Sequence, residues 1–209
     1  DSQGKVVCLV SSGIDSPVAT YLMMKRGCEV IALYCDNDPF TSQKALENYN
    51  NLVDQLQKYA AGVPIKKCVV KYGDYLQKAK DDAPEKMTCV LCKSGMYKIA
   101  EMLANKMGAL AIVDGSSVGQ VASQTLNNIL TTRYGVEMPV LSPLIGLDKT
   151  EITKIAEEIG TFEISKIDDG GCSAVPRYPE TKSDLERVRD ACEAMNQDEA
   201  IIKAFETIK

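Results

Sequence analysis

Short apolar runs alternate with longer amphipathic stretches almost from the start of the chain. Residues 6–10 form an apolar run the length of a buried strand. Residues 15–26 then read as a helix, with Val18, Ala19, Leu22 and Met23 on one face and Gly27 as its stop. The strand pattern returns at 30–35. Over 42–61 Ala45, Leu46, Tyr49, Leu52, Val53, Leu56 and Ala60 recur at helical spacing. A third strand is expected at 65–70, whereas 73–88 is polar, holds a proline and reads as irregular. A helix over 94–107 stops at Gly108, followed by a strand at 109–114, a helix at 117–130 and a short strand at 139–144. Asp148 and Glu151 have the spacing of a capping box, opening a helix that ends at Gly160. An irregular loop at 168–172 precedes two tail helices at 183–195 and 198–208.

Strands separated by helices imply right-handed crossovers. The expected class is α/β: a doubly wound, mainly parallel sheet with helices on both faces. In such sheets ligands bind beyond the carboxyl ends of the strands. That rule gathers the loops at 11–16, 35–40, just before Cys89, and 114–120.

The chain has 209 residues, enough for one large domain with an appendage. We expect a main domain over 1–182 and a helical extension over 183–209. The net charge of −5 argues against a domain that grips a nucleic-acid backbone unaided. No segment approaches the run of about 20 apolar residues that spans a membrane. The opening apolar run lacks a basic flank, so no signal peptide is expected, and the first residue is not Met. A cytoplasmic protein is the expectation. There are eight Cys and no His. Without His, neither Ser-His nor Cys-His nucleophile systems nor His-containing metal sites are available. Cys89-x-x-Cys92 points to metal or redox chemistry rather than a disulfide framework. Cys8 and Cys68 fall within strand patterns and read as core; Cys28 and Cys192 have no evident partner.

The first strand runs into Ser11-Ser12-Gly13-Ile14-Asp15-Ser16-Pro17. Strand, small-residue loop and helix start make an anion site, because free amides and the helix dipole both favour negative charge. Pro17 suits the first helical turn. The loop is neither the P-loop G-x-x-x-x-G-K-S/T nor the dinucleotide fingerprint G-x-G-x-x-G. It resembles the PP-loop S-G-G-x-D-S of the ATP pyrophosphatases (the adenine nucleotide alpha-hydrolase fold), with Ser12 in place of the first glycine.

Further runs sharpen this: SSGIDSPVATYLMMKRG, GSSVGQVASQTLNNI, PVLSPLIGLDKTEITKIAEEIGTFEIS and DDGGC with the later VP. Together they resemble the catalytic domain of the tRNA 4-thiouridine synthetase (ThiI) family, over about residues 4–182. The resemblance implies an ATP-dependent tRNA sulfurtransferase. ATP adenylates uracil O4 of tRNA, expected at U8, and a sulfur nucleophile displaces AMP. It places Leu9 and Val10 by the adenosine, and Ser11, Ser12, Gly13 and Ser16 around the phosphates. Tyr34 and Cys35 fall where the family contacts adenine, and Lys93, Gly115 and Gln124 at further ATP positions. Asp15 would act near the phosphates or a Mg2+ ion, or else serve only as a helix cap. Lys149 would neutralise the leaving pyrophosphate, or else be a solvated lysine. Cys172 falls on the family's catalytic cysteine. The N-terminal ferredoxin-like and THUMP parts, and the rhodanese domain of some members, are absent from the sequence. tRNA affinity and sulfur are therefore expected from elsewhere, the latter from sulfide or a persulfide carrier. A homodimer is left open.

Many members lack Cys89 and Cys92. With Cys172 they make three thiolates in loops expected at the active end of the sheet. Three suit an iron-sulfur cluster, of 4Fe–4S type with one open iron, better than the four-ligand structural zinc site. A Cys89–Cys92 redox pair and zinc remain alternatives. So do another PP-loop tRNA thiolase, an ATP-dependent amidating ligase, and a non-catalytic nucleotide-binding scaffold with structural zinc.

Overall fold

The computed structural model describes residues 2–209. Five strands, β1 (Lys5–Leu9), β2 (Glu29–Asp36), β3 (Lys66–Lys71), β4 (Ala109–Val113) and β5 (Val140–Leu141), form one sheet in the order β3-β2-β1-β4-β5. Every pairing is parallel. The helices are α1 (Asp15–Lys25), α2 (Gln43–Gln57), α3 (Gly73–Asp82), α4 (Thr88–Met107), α5 (Leu126–Thr132), α6 (Lys149–Glu158), α7 (Phe162–Ser165), α8 (Leu185–Ala194) and α9 (Gln197–Phe205).

The period of two along the strands builds two cores. Val6, Cys8 and Val10 face a layer with Val18 of α1, Tyr49 of α2 and Ile152 of α6. Val7, Ile31 and Leu33 face the other way, onto Leu91, Ile99 and Leu103 of α4, with Val188 of α8 and Ile201 of α9 behind. Both faces of the sheet are covered, which is why the strands read as nearly continuous apolar runs. The chain winds from β1 outward through β2 to β3 and then crosses to β4 on the other side of β1. The reversal between β1 and β4 is where doubly wound sheets open a crevice. Among the described residues no helix is long and apolar enough to cross a membrane.

Several elements differ from the sequence expectation. Residues 73–88 are not irregular: α3 occupies Gly73–Asp82, and a short 3-10 turn at Glu85–Met87 leads into α4. The signal there is a narrow stripe, Tyr75, Leu76 and Ala79, inside an otherwise charged, solvated segment. Consequently α4 begins at Thr88, ahead of the expected position 94, and Cys89 and Cys92 lie in its first turns rather than in a loop. The expected helix at 117–130 is instead an extended turn, a 3-10 turn at Ala122–Gln124 and α5. The Val118 N–H donates to the Ile145 carbonyl (3.2 Å) and Gly119 has φ +81°, neither compatible with a helix there. The helix expected over 42–61 ends at Gln57. The strand at 139–144 contracts to Val140–Leu141. The capping box of Asp148 and Glu151 is present at the start of α6.

The tail helices are built into the main core, where Val188, Ala191, Met195, Ala200 and Ile201 are buried. Lys209 exchanges two backbone hydrogen bonds with Val69 (3.0 and 3.1 Å), covering the β3 edge.

Gly95 sits mid-helix in α4 for a packing reason. The stacked rings of Tyr72 and Tyr75 cross the helix there, and their hydroxyls donate to the carbonyls of Cys92 (2.6 Å) and Leu91 (2.7 Å). A Cβ at position 95 would overlap both rings. Gly95→Ala should therefore cost roughly 1–3 kcal/mol by overpacking, read as a lower urea midpoint with an unchanged m-value.

Candidate active site

The carboxyl ends of β1 and β2 open onto a cavity of about 250 Å³. Leu9, Val10, Ser11 and Ser12 line one side, and Tyr34 and Cys35 another. Cys172 closes it from the 168–172 loop. The last backbone bond between the two strands runs from the Val10 N–H to the Leu33 carbonyl (2.9 Å). Beyond it β1 veers into its loop and the strands part.

The loop after β1 is closed on itself. Ser16 Oγ accepts from the Ser11 N–H (2.8 Å), and Ser11 Oγ accepts from the Gly13 N–H (3.2 Å). The amides of Ser12, Ile14 and Asp15 have no protein acceptor among the described residues. They stand at the positive end of α1, an arrangement that suits an anion. Asp15 forms an ion pair with Lys149 at the start of α6 (2.8 Å). Gly115 packs so tightly on this turn that a Cβ would lie 2.8 Å from the Ser16 nitrogen. Only glycine allows the β4 loop to meet the α1 N-terminus so closely.

Lys93 reaches from α4 to this junction and donates to Ser116 Oγ (2.9 Å). Burial pushes its ammonium below its usual range, and Asp114 nearby resists the shift. Burial works against the charge of Asp114, but Lys93 and the hydroxyls of Ser142, Tyr97 and Ser116 outweigh it and hold the carboxyl below its ordinary value. Arg133 adds a further contact (3.5 Å). Gln124 accepts from the Ser117 N–H (3.3 Å) and shapes the 117–124 turn; it does not line the cavity.

Cys89 and Cys92 lie in the first turns of α4 and do not line the cavity, whereas Met96, one turn further on, does. Burial raises the thiol of Cys89, with Cys172 adding to the effect. Burial pushes Cys92 well up, and Cys35, Cys89 and Cys172 reinforce it. Cys35 itself is raised to about 12 by burial. Cys8 and Cys68 are buried in the core. The donor set suits a soft metal or cluster in kind, being all thiol. As placed it does not form a metal site: among the described residues no three Cys, Asp or Glu side chains stand close enough to hold one ion.

Two loops hold Cys172 over the cavity. Ser42 donates to the Asp169 carbonyl (2.7 Å), and the Ser173 N–H donates to the Phe40 carbonyl (2.8 Å). Sequence reasoning missed Asn37, Thr41, Met96 and Asp169, which also line the cavity. Only Asp169 falls in a quoted run, DDGGC; the chain brings the others there by packing α2 and α4 around the strand ends.

A family model described as Thiamine biosynthesis protein (ThiI) matches residues 1–197. A "Probable tRNA sulfurtransferase" of Methanobrevibacter smithii is 78% identical over 207 residues, covering 99% of this chain and 54% of that protein. One of Methanothermobacter thermautotrophicus is 59% identical over 204 residues, covering 98% and 52%. The chain thus spans about half the length of the curated relatives it matches. A solved 4-thiouridine synthetase–RNA complex with bound ATP has a TM-score of 0.94 at 34% identity, covering 99% of this chain and 54% of that one. A U34-tRNA thiolase of Methanococcus maripaludis solved with its 4Fe–4S cluster (TM-score 0.56, 15% identity, covering 99% and 72%) shares the fold.

The far end of the Cys172 segment is anchored by Glu180. It pairs with Arg187 (2.7 Å) and Lys86 (3.3 Å). The Lys182 N–H, the Arg187 guanidinium and the Lys86 ammonium hold its carboxyl at about 2, against a usual 4.5. A depressed carboxyl contributes stability that is complete above the unfolded value and is lost as pH falls through the folded one. The Tm of the protein should therefore fall between about pH 4.5 and pH 2. Glu180→Gln should be less stable at neutral pH and converge with wild type at the acid end, as followed by thermal melts across that range.

Proposed function

The chain belongs to the ThiI family, and from that premise we propose that it is the catalytic part of an ATP-dependent tRNA sulfurtransferase that makes 4-thiouridine. The observation that carries the reading is that Cys172 lines the same cavity as the end of β1 and Ser11 and Ser12 of the loop that follows it. A thiol within reach of an activated nucleotide's position is the geometry that adenylation followed by sulfur attack requires. The solved synthetase, similar along nearly all of this chain, holds ATP and RNA.

In this reading the base of ATP enters between the ends of β1 and β2, and the phosphates lie along the amides of Ser12 to Asp15. The uracil O4 attacks the α-phosphorus and pyrophosphate leaves. Asp15 would hold a Mg2+ ion that offsets phosphate charge, and Lys149, its ion-pair partner, would neutralise the departing pyrophosphate. Lys93, held by Ser116 and Asp114, supplies a fixed positive charge close to the same loop. The C4–O bond to AMP then breaks as a C4–S bond forms. With a net charge of −5, the grip on the tRNA backbone falls to residues outside this chain.

For sulfur delivery, Cys89, Cys92 and Cys172 would hold an iron-sulfur cluster, which would supply a sulfide nucleophile; their thiol-only character supports this. A second reading is favoured by the absence of three ligands within reach of one ion among the described residues. Cys172 receives the outer sulfur from a persulfide carrier. That sulfur attacks C4, and Cys89 or Cys92 then attacks the Cys172 sulfur, giving a disulfide and releasing the thiolated base. A two-electron reductant of the thiol class resets the pair.

Asp15→Ala should abolish tRNA-dependent pyrophosphate release with the fold intact by circular dichroism. Cys172→Ala should lose 4-thiouridine, measured by mass spectrometry of digested tRNA, while still binding ATP. Retention of thiolation in that variant would remove Cys172 from the reaction. Anaerobic iron and sulfide counts on wild type and on the three Cys→Ala variants decide between the two sulfur readings.

A further inference from the structure

We infer that Asn37 reads the nucleotide base, its side-chain amide pairing with the 6-amino edge of adenine and setting a preference for ATP over 6-oxo and 6-unsubstituted purines. This rests on the ATP reading above.

Asn37 follows directly on β2 and lines the cavity at the strand ends. Around it the wall is largely apolar: Leu9, Val10, Leu33 and Ala45. Asn37 is only 8% exposed, and its Oδ1 is buried without a hydrogen-bond partner. Thr41 Oγ1, on the same wall, is also buried and unpartnered. Unpaired polar atoms are rare in folded interiors and carry a desolvation cost, so a pair of them on the wall of one cavity points to a ligand that completes them.

The backbone at this point is pinned while the side chain is left unpaired. The Asp36 carbonyl accepts from the Tyr72 N–H (2.7 Å), and the Asn37 carbonyl accepts from the Phe40 N–H (2.6 Å). Asn37 therefore stays in position without spending its amide on the protein, the condition for a preformed recognition group.

The chemistry selects the base. A carboxamide sets an acceptor beside a donor, and adenine sets its 6-amino donor beside a ring-nitrogen acceptor, so the two form a two-bond pair. A 6-amino group satisfies the buried Oδ1. On the same edge guanine offers two acceptors, N7 and O6, so a carboxamide can complete only one of its two bonds there, and a purine with hydrogen at C6 leaves Oδ1 unpaired. Apolar walls above and below take the ring faces of any purine equally, so discrimination falls to the amide.

The test is calorimetric titration of the chain with ATP, GTP and purine riboside triphosphate, each with Mg2+. Wild type should bind ATP about 5- to 100-fold more tightly than either analogue, the range for a good bidentate pair. Asn37→Ala, and Asn37→Leu, which keeps the volume without a polar atom, should lose that factor for ATP and weaken purine riboside triphosphate by less, since it makes only the ring-nitrogen bond. Equal weakening of both nucleotides in the variants would overturn the inference. So would a wild type without the preference, a result that needs no variant to fold. In both cases the ATP reading survives. A wild type that binds no ATP at all would instead defeat that reading, and this inference with it.

Discussion

The close approach of Gly115 to the start of α1 is the constraint on which the rest of the site depends. It brings the end of β4 against the loop after β1, at the point where the winding of the sheet reverses. A side chain at 115 would push the β4 loop off Ser16, and with it Ser116 and the Lys93 that Ser116 holds. Directly before Gly115, the buried carboxylate of Asp114 gathers Tyr97 from α4 and Ser142 from the segment after β5. Such a network is costly to bury and is tolerated because each lone pair is occupied. It converts three separate elements into one rigid wall behind the anion loop.

The opposite wall is built from loops and is held by fewer bonds. Ser42, Phe40 and Ser173 tie the Cys172 loop to the segment after β2, and Glu180 anchors its far end. In the proposed function, a nucleotide bound on a fixed frame and sulfur chemistry carried on a tethered loop would separate the two tasks. Positioning relies on the packed sheet, and the thiol keeps local freedom to meet a donor and then a base. Burial of Cys35, Cys89 and Cys92 keeps these thiols protonated at neutral pH, so their reactivity depends on what enters the cavity.

Much of the architecture was legible because both faces of the sheet are covered, so strands appear as apolar runs and helices as wide apolar stripes. α3 was not legible, since a helix with only a narrow buried stripe looks like a solvated segment in a charged sequence. That one error displaced the Cys89-x-x-Cys92 pair from a helix into an imagined loop. The turn at 117–124 failed for a related reason: its polar groups bond to Ile145 and Leu147, contacts that no local pattern encodes.

The sequence by itself determined the α/β winding, the loop of small residues at a helix start, and the family through runs that follow one another in order. These are local or periodic properties, set by side-chain size, polarity and spacing. The tertiary structure decided which groups meet. It placed Asn37 and Thr41 with their polar atoms unpaired on a cavity wall, paired Asp15 with Lys149, and left the cysteines short of a three-ligand metal site as they stand. Those outcomes depend on the distances between elements far apart in the chain. Packing sets them to within an ångström, and residue order does not record them.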